Sequence, residues 1–377
     1  MEKKLSNKTK NICTTILVIL SIFILFLFDK GIIGDAYLRR ILNLSAIYAI
    51  ISVSMNLVNG FTGLFSLGQA GFVAIGAFSV AVFTVPEKYI QSIFYIKPMA
   101  PWLVEMRLPF VVALLIGGLV AGILAFLIGY PILRLKSDYL AIATLGFSEI
   151  IRIVLTNMQT ITNGALGINR IPPMKSMFIP FGIAVICIGM MVLLINSSYG
   201  RAFKAIREDN IAAESMGINL ALHKNLSFAI SAFFSAIAGG LYAALLTTVD
   251  PKQFYFTFTY NFLLIIVFGG IGSITGSVIA SFVVTYGLEW LRIFDEPFII
   301  GGVTIPFFRA GLRMVIFSLL LMIIVLFFRK GLMGNKEFSW DAIYNFLLKI
   351  KISIKQKRYD KMRVYVRKPL KNKGGDK

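Results

Sequence analysis

The sequence is poor in the residues that build reactive or metal-binding sites: its 377 residues include two cysteines and one histidine. Cys13 and Cys187 both fall inside apolar runs and His223 stands alone, which excludes a disulfide framework and any Cys/His metal site. Acid is scarce as well. Eighteen Asp and Glu stand against thirty-eight Lys and Arg, and 15% of the residues are charged. No Walker motif occurs, so the chain has no phosphate cradle of its own for ATP. No nucleophile, base or metal constellation can be assembled at a common depth, which argues against an enzyme.

What is abundant is apolar. Hydrophobic residues make up 57% of the chain and the mean hydropathy is +0.80, more than a water-soluble domain can hide on folding. The chain is an integral membrane protein. Its net charge of +20 lies between apolar runs and at both ends, the pattern of positive-inside topology and not of a nucleic-acid-binding face.

Lys3, Lys4, Lys8 and Lys10 precede an apolar run from Ile12 to Phe28 that is long for a signal-peptide core and lacks an A-x-A-like cleavage site. It reads as a retained first span. Runs long enough to cross a bilayer centre on residues 20, 48, 77, 118, 148, 187, 237, 264, 284 and 320, since a spanning helix needs about 20 apolar residues. The expected fold is an all-α, polytopic transmembrane bundle of about ten crossings. Both ends are expected in the cytoplasm, because fifteen Lys and Arg against four acids follow from Arg329 onward. On this count the turn at Arg134 and Lys136 and the loop from Ser198 to Lys224 are cytoplasmic, while 86–107, 159–176 and the stretch with Asp295, Glu296 and Arg309 are external. The region 259–291 holds either two spans or one span and a re-entrant hairpin. Residues 1–330 form the membrane domain. Residues 331–377 form a basic cytoplasmic tail, suited to an anionic lipid surface.

Two stretches break the helical pattern. NGFTGLFSLGQAGFVAIG (59–76) contains Gly60, Gly63, Gly68, Gly71 and Gly76, and FGGIGSITGSVIAS (268–281) contains Gly269, Gly270, Gly272 and Gly276. A continuous helix would lose about 1 kcal/mol at each glycine relative to alanine, so broken or closely packed helices are expected. Backbone that leaves the helix at membrane depth must be buried in protein or reached by water. The two stretches suit either a weak internal repeat of broken helices or independent use of glycine for close packing. Small residues also recur four apart at Gly118 and Gly122, and in two stripes, Ser231, Ser235, Gly239, Ala243 and Ala232, Ala236, Gly240, Ala244, where helices can approach closely.

Polar side chains inside spans are candidates for a substrate path. Gln69 either lines such a path or bonds across helices. Thr144, Ser148, Glu149, Arg152, Thr156 and Gln159 fall within an arc of about 140° on one helix, for which Asp138 is a plausible N-cap. Glu149 sits roughly 16 Å into a hydrocarbon core of about 30 Å. Glu149 and Arg152 form either a self-neutralising ion pair that packs the bundle or the border of a path for a zwitterion.

The stretch SYGRAFKAIREDNIAAESMGIN (198–219) stands between two uncharged apolar runs yet carries Arg201, Lys204, Arg207, Glu208, Asp209 and Glu214. Asp209 has the side chain of an N-cap, and Gly217 followed by Ile218 matches a left-handed C-cap. A short helix of about 10 Å results. Ala212, Ala213, Met216 and Gly217 lie toward one side of it, a face on which a partner can settle; a solvated amphipathic loop is the alternative.

Five ordered blocks, NLVNGFTGLFSLGQAGFVAIGAF (56–78), LRLKSDYLAIATLGFSEIIRI (133–153), GRAFKAIREDNIAAESMGIN (200–219), VFGGIGSITGSVIA (267–280) and GLRMVIFSLLLMIIVLFFRKGLMG (311–334), give the chain a close resemblance to a known family. It resembles the longer inner-membrane permease of Liv-type branched-chain amino acid ABC transporters, over roughly residues 40 to 334. The resemblance implies import of leucine, isoleucine and valine across the cytoplasmic membrane, driven by ATP hydrolysis on other subunits. It implies a second permease, forming a heterodimer, two ATP-binding subunits that hold ATP and Mg²⁺, and an external substrate-binding protein. It also implies that Ala212, Ala213 and Gly217, with Arg201, Arg207 and Asp209, form the loop that docks on the ATPase. The family often has glycine where this chain has Ser148, and the tail after 334 is longer than is usual. Permeases of the same class for urea or nucleosides, or an ion-coupled secondary transporter, are the alternatives.

Overall fold

A computed structural model describes residues 6–135, 137–292, 299–300, 303–304, 312–327, 331–334, 337, 339–341 and 344. The expected external stretch with Asp295, Glu296 and Arg309, the side chain of Asp138 and most of the basic tail lie outside the described residues. Contacts divide the chain into two compact units, Leu25–Glu337 and a unit of the two ends, Met1–Ile24 with Phe338–Lys377. In the unit of the ends, Trp340 donates to the Thr14 hydroxyl at 2.8 Å and Asp341 pairs with Lys10.

Helices lie at all ten expected centres, which confirms the all-α membrane bundle. They are α1 (Asn7–Asp29), α2 (Ala36–Asn56), α3 (Gln69–Thr84), α6 (Phe110–Ile132), α7 (Ser137–Asn157), α9 (Phe178–Asn196), α12 (Leu220–Leu246), α13 (Phe256–Gly269), α14 (Ile274–Trp290) and α15 (Leu312–Phe327). Shorter helices connect them: α4 (Glu87–Ile93), bent by 117° from α3, α5 (Pro101–Glu105), α8 (Gln159–Thr162), α10 (Ser198–Glu208) and α11 (Asn210–Ser215). Among the described residues six are long and apolar enough to cross a bilayer unaided: α1, α2 with its extension, α6, α7, α9 and α12. At 14 and 17 residues, α13 and α14 measure only about 21 and 25 Å, short against a core of about 30 Å. The only strands among the described residues are a two-residue antiparallel pair, Ile299–Ile300 with Val303–Thr304.

Pro131 sits in the last turn of α6. One expectation about α7 shifts. Gln159 is not on the polar arc of α7: that helix ends at Asn157, and Gln159 opens α8.

The small residues do what their spacing suggests. A Cβ on Gly76 of α3 would lie 1.8 Å from the carbonyl oxygen of Ala236 on α12, and one on Gly239 would lie 2.0 Å from the carbonyl oxygen of Val73. α12 therefore runs backbone to backbone along α3, and α6 packs against both, its Gly118 backbone facing the Phe233 ring of α12 and its Gly117 backbone lying against Gly76 of α3. Some hydroxyls inside the bundle turn back on their own helix, as Ser45 does to the Ile41 carbonyl and Ser281 to the Val278 carbonyl, and are satisfied there without water.

The glycine stretches resolve into breaks and contacts. α2 loosens into a π-helical turn at Leu57–Phe61, the chain is irregular to Gly68, and α3 starts at Gln69. Gly71 lies inside α3, packed on Ser148 and Ile151 of α7. The second break is confined to Gly270–Ser273, with Gly269 and Gly276 in close backbone contact on either side of it.

Gly76→Ala forces a methyl into the Ala236 carbonyl and should cost about 3 kcal/mol or more, while Gly182→Ala, which meets nothing within 4 Å, should be neutral or mildly stabilising. Thermal unfolding of the purified variants in detergent checks this; equal stability of the two would contradict the close α3–α12 contact.

Candidate coupling site

The charged stretch at 198–219 folds as two helices with defined ends. α10 follows α9 through Ser197 and is amphipathic, with Phe203 and Ile206 buried and Arg201 and Tyr199 exposed. Gly200 permits the turn: a Cβ there would lie 2.1 Å from the Ile195 carbonyl oxygen. At α11, Asp209 accepts from the Ile211 and Ala212 amides at 2.8 and 3.1 Å, as an N-cap does. Gly217 is left-handed at φ +82°, and the Ile218 amide donates to the Ala213 carbonyl at 3.1 Å. That is the expected C-cap. Asn219 then caps α12 by accepting from the Leu222 amide at 3.0 Å. The aromatic faces of Tyr199 and Phe203 both approach His223, which joins α10 to the first turn of α12.

The exposed face of α11 differs in detail from its expected composition. Ala213 turns inward and is buried, whereas Ile211 and Met216 are 78% and 83% exposed beside the exposed Ala212. The helix thus presents two large apolar side chains on a polar loop.

Inward, α10 rests on the first glycine break. Arg207 donates to the Gly60 carbonyl at 3.1 Å, and Lys204 lies 5.7 Å from the centre of the Phe61 ring. Gly63 is needed here: it is left-handed at φ +74°, and a Cβ on it would come within 2.8 Å of Arg207. Arg207 also pairs with Glu208, and its remaining reach goes to a carbonyl left free where the helical run ends.

Asn56 ties the first break to the second. The side chain is fully buried; its amide donates to the Ser273 carbonyl at 3.0 Å and the Ser277 hydroxyl at 2.8 Å, and its oxygen accepts from the Gly272 amide at 2.9 Å. One side chain therefore satisfies both a donor and an acceptor of the broken backbone. From the other side, Glu337 accepts from the Ile274 amide at 2.7 Å and from the Thr275 amide and hydroxyl at 3.0 and 2.6 Å. The carboxylate faces the positive end of α14. The amides of Leu332 and Met333 donate to the carbonyls of Phe268 and Gly269 at 2.7 and 3.1 Å. Residues 331–334 and Glu337 lie in the same compact unit as these helices. A cavity of about 480 Å³ lies among these parts, walled by Phe61, Lys204, Arg207, Gly272, Thr275 and Glu337.

The expected path residues sit elsewhere and are engaged by protein. Gln69 is buried and donates to the hydroxyls of Ser54 on α2 and Ser231 on α12, both at 3.1 Å, and to that of Ser235. The Thr144 hydroxyl accepts from the Leu67 amide at 3.0 Å and so anchors the irregular segment before α3. Glu149 accepts from Arg152 at 2.7 Å and from the Phe256 amide at 3.1 Å, while the Arg152 guanidinium lies 4.3 Å from the centre of the Tyr255 ring. The pair holds the first turn of α13.

Sequence reasoning singled out neither Asn56 nor Glu337 as functional. Asn56 opens the first glycine block and carries a local hint, a lone amide in an apolar run; Glu337 carries none. No group of three or more His, Cys, Asp or Glu side chains able to hold a metal occurs among the described residues.

Comparison with known proteins identifies the class. The family model described as "Branched-chain amino acid transport system / permease component" matches residues 37–326. The high-affinity branched-chain amino acid transport system permease protein LivM of Escherichia coli is 32% identical over 325 residues, covering 77% of this chain and 71% of the relative. LivM of Salmonella typhimurium is 32% identical over 301 residues, covering 70% and 66%. A probable branched-chain amino acid transport permease protein LivM of Methanocaldococcus jannaschii is 26% identical over 321 residues, covering 77% and 91%. No solved structure matches the chain. With a family match across most of the helical bundle and relatives of the same kind at this identity, the chain belongs to the family of branched-chain amino acid transport permeases.

Proposed function

We propose that the chain is one permease subunit of an ABC importer that moves leucine, isoleucine and valine inward across the cytoplasmic membrane, with its ends and the 198–219 loop in the cytoplasm. ATP and Mg²⁺ bind on two partner ATPase subunits, a second permease completes the pathway, and an external binding protein delivers the substrate. The observation that carries the reading is α11: a short helix capped at both ends, presenting Ile211 and Met216 outward. Family membership supports the substrate class.

In this reading the ATPase holds α11, and motion enters the bundle through α10. Arg207 passes it to the π turn at Gly60, and Asn56 passes it from there to the break at 270–273. The substrate path runs beside Gln69, Thr144, Glu149 and Arg152 in a conformation that exchanges their present hydrogen bonds for contacts with substrate. Differential affinity of the two conformations for nucleotide supplies the bias.

Reconstitution of the full complex tests the assignment: leucine uptake driven by ATP is expected, and uptake of urea or a nucleoside in its place would overturn the substrate class. Met216→Glu should insert normally, since the side chain is exposed, yet abolish stimulation of ATP hydrolysis by substrate-loaded binding protein. Arg207→Met keeps the stem and removes a charged hydrogen bond of roughly 2 kcal/mol, so uptake per ATP hydrolysed should fall about tenfold or more. Unchanged coupling in both variants would refute the route through 198–219. Arg152→Gln should insert and still lose leucine uptake; normal uptake would remove Arg152 from the path.

A further inference from the structure

The end of the bundle opposite the coupling loop contains a second polar site. Tyr37, Arg40, Ile41 and Leu44 share one face of α2 at the spacing i, i+3, i+4, i+7. Twenty residues of helix separate Arg40 from Gly60, about 30 Å, the thickness of the hydrocarbon core. That face meets the last turn of α12 and the end of α14 around a cavity of about 370 Å³. The size lies at the small end of the range for ligand sites, about 300 to 1,000 Å³.

The charges in this cavity are arranged in opposition. Glu289 accepts from the Tyr37 hydroxyl at 2.7 Å and from Arg292 at 3.1 Å, which fixes its carboxylate on one wall. Arg40 lines the same cavity and is in no ion pair among the described residues. Among the described residues two guanidinium groups therefore accompany one carboxylate, and Ile41, Leu44 and Leu245 supply an apolar wall. An arginine has five donors, so Arg40 can take a carboxylate as a partner.

We propose that this cavity receives a free aliphatic amino acid at the outer mouth of the permease. The ligand carboxylate meets Arg40 and Arg292, its ammonium meets Glu289, and its branched side chain lies on Ile41, Leu44 and Leu245. The proposal rests on the importer reading, which makes this face the outer one. A membrane-interface anchor would use the same residue types, but it would be indifferent to the two charges of the ligand.

The experiment uses the assembled transporter in nanodiscs without the external binding protein, labelled with a diazirine analogue of leucine and mapped by mass spectrometry. Adducts on Ile41, Leu44 or Leu245 are expected, displaced by L-leucine. Glu289→Gln should weaken displacement by leucine about tenfold and leave 4-methylpentanoate, which lacks the ammonium, unchanged. Arg40→Gln should weaken leucine and 4-methylpentanoate and leave 3-methylbutylamine, which lacks the carboxylate, unchanged. Adducts only elsewhere, or variants that weaken all three competitors alike, would overturn the proposal. Labelling abolished by exchanging phosphatidylcholine for phosphatidylethanolamine would assign the cavity to a lipid headgroup and overturn it too. If the unmodified complex imports leucine while the cavity takes no label, the proposal fails and the importer reading stands; if the complex imports no leucine, the importer reading itself fails.

Discussion

A helix that breaks inside a membrane protein leaves backbone amides and carbonyls without partners, each costing several kcal/mol in hydrocarbon, roughly 2 to 7, unless protein answers them. At 270–273 the answer comes from one buried side chain. Asn56 supplies a donor to Ser273 and an acceptor to Gly272, and its other donor goes to Ser277. The break can exist because Asn56 is there. Asn56 is held in place in turn because α2 packs between α12 and α14, and the π turn that follows it lets Gly60 lie against Gly272. A Cβ on Gly60 would come within 2.5 Å of the Gly272 amide nitrogen, so the two breaks touch only because residue 60 is glycine.

This contact gives the 198–219 loop, in its proposed role, something to act on. A continuous α2 would have no spare carbonyl at Gly60, since every interior carbonyl accepts from its own helix. The helical run ends at Phe61 and leaves one, and Arg207 takes it. The same logic applies at the start of α14, where Glu337 meets the first amides of the helix. Broken helices thus provide the polar handles by which polar segments outside the membrane grip apolar ones inside it. The large outward side chains of α11, Ile211 and Met216, sit one short linkage away from that grip.

Legibility followed range. The caps of α11 were readable because Asp209, Gly217 and Ile218 act on neighbours within a few residues, and local chemistry suffices there. The spans were readable from hydropathy, and the small-residue stripes of α12 announced close packing without naming α3 as the partner. The glycine breaks were visible, but glycine serves both breaks and contacts, so Gly71 and Gly276 could not be told from Gly60 and Gly270 by composition. Pairings across the chain were not readable at all. Asn56 and Gly272 are 216 residues apart and Arg207 and Gly60 are 147 apart; no periodicity links them. Gln159 was placed on the polar face of α7 because angular arithmetic assumes the helix continues, and it stops at Asn157.

If force passes from Arg207 through Gly60 to Asn56, the two side chains act in series, and removing either should interrupt the same step. A double-mutant cycle on Arg207→Met and Asn56→Ala, read as leucine uptake per ATP hydrolysed in the reconstituted complex, measures this. The account predicts that the double variant is no worse coupled than the poorer single variant. Losses that add in free energy would contradict it and place the two residues on separate routes.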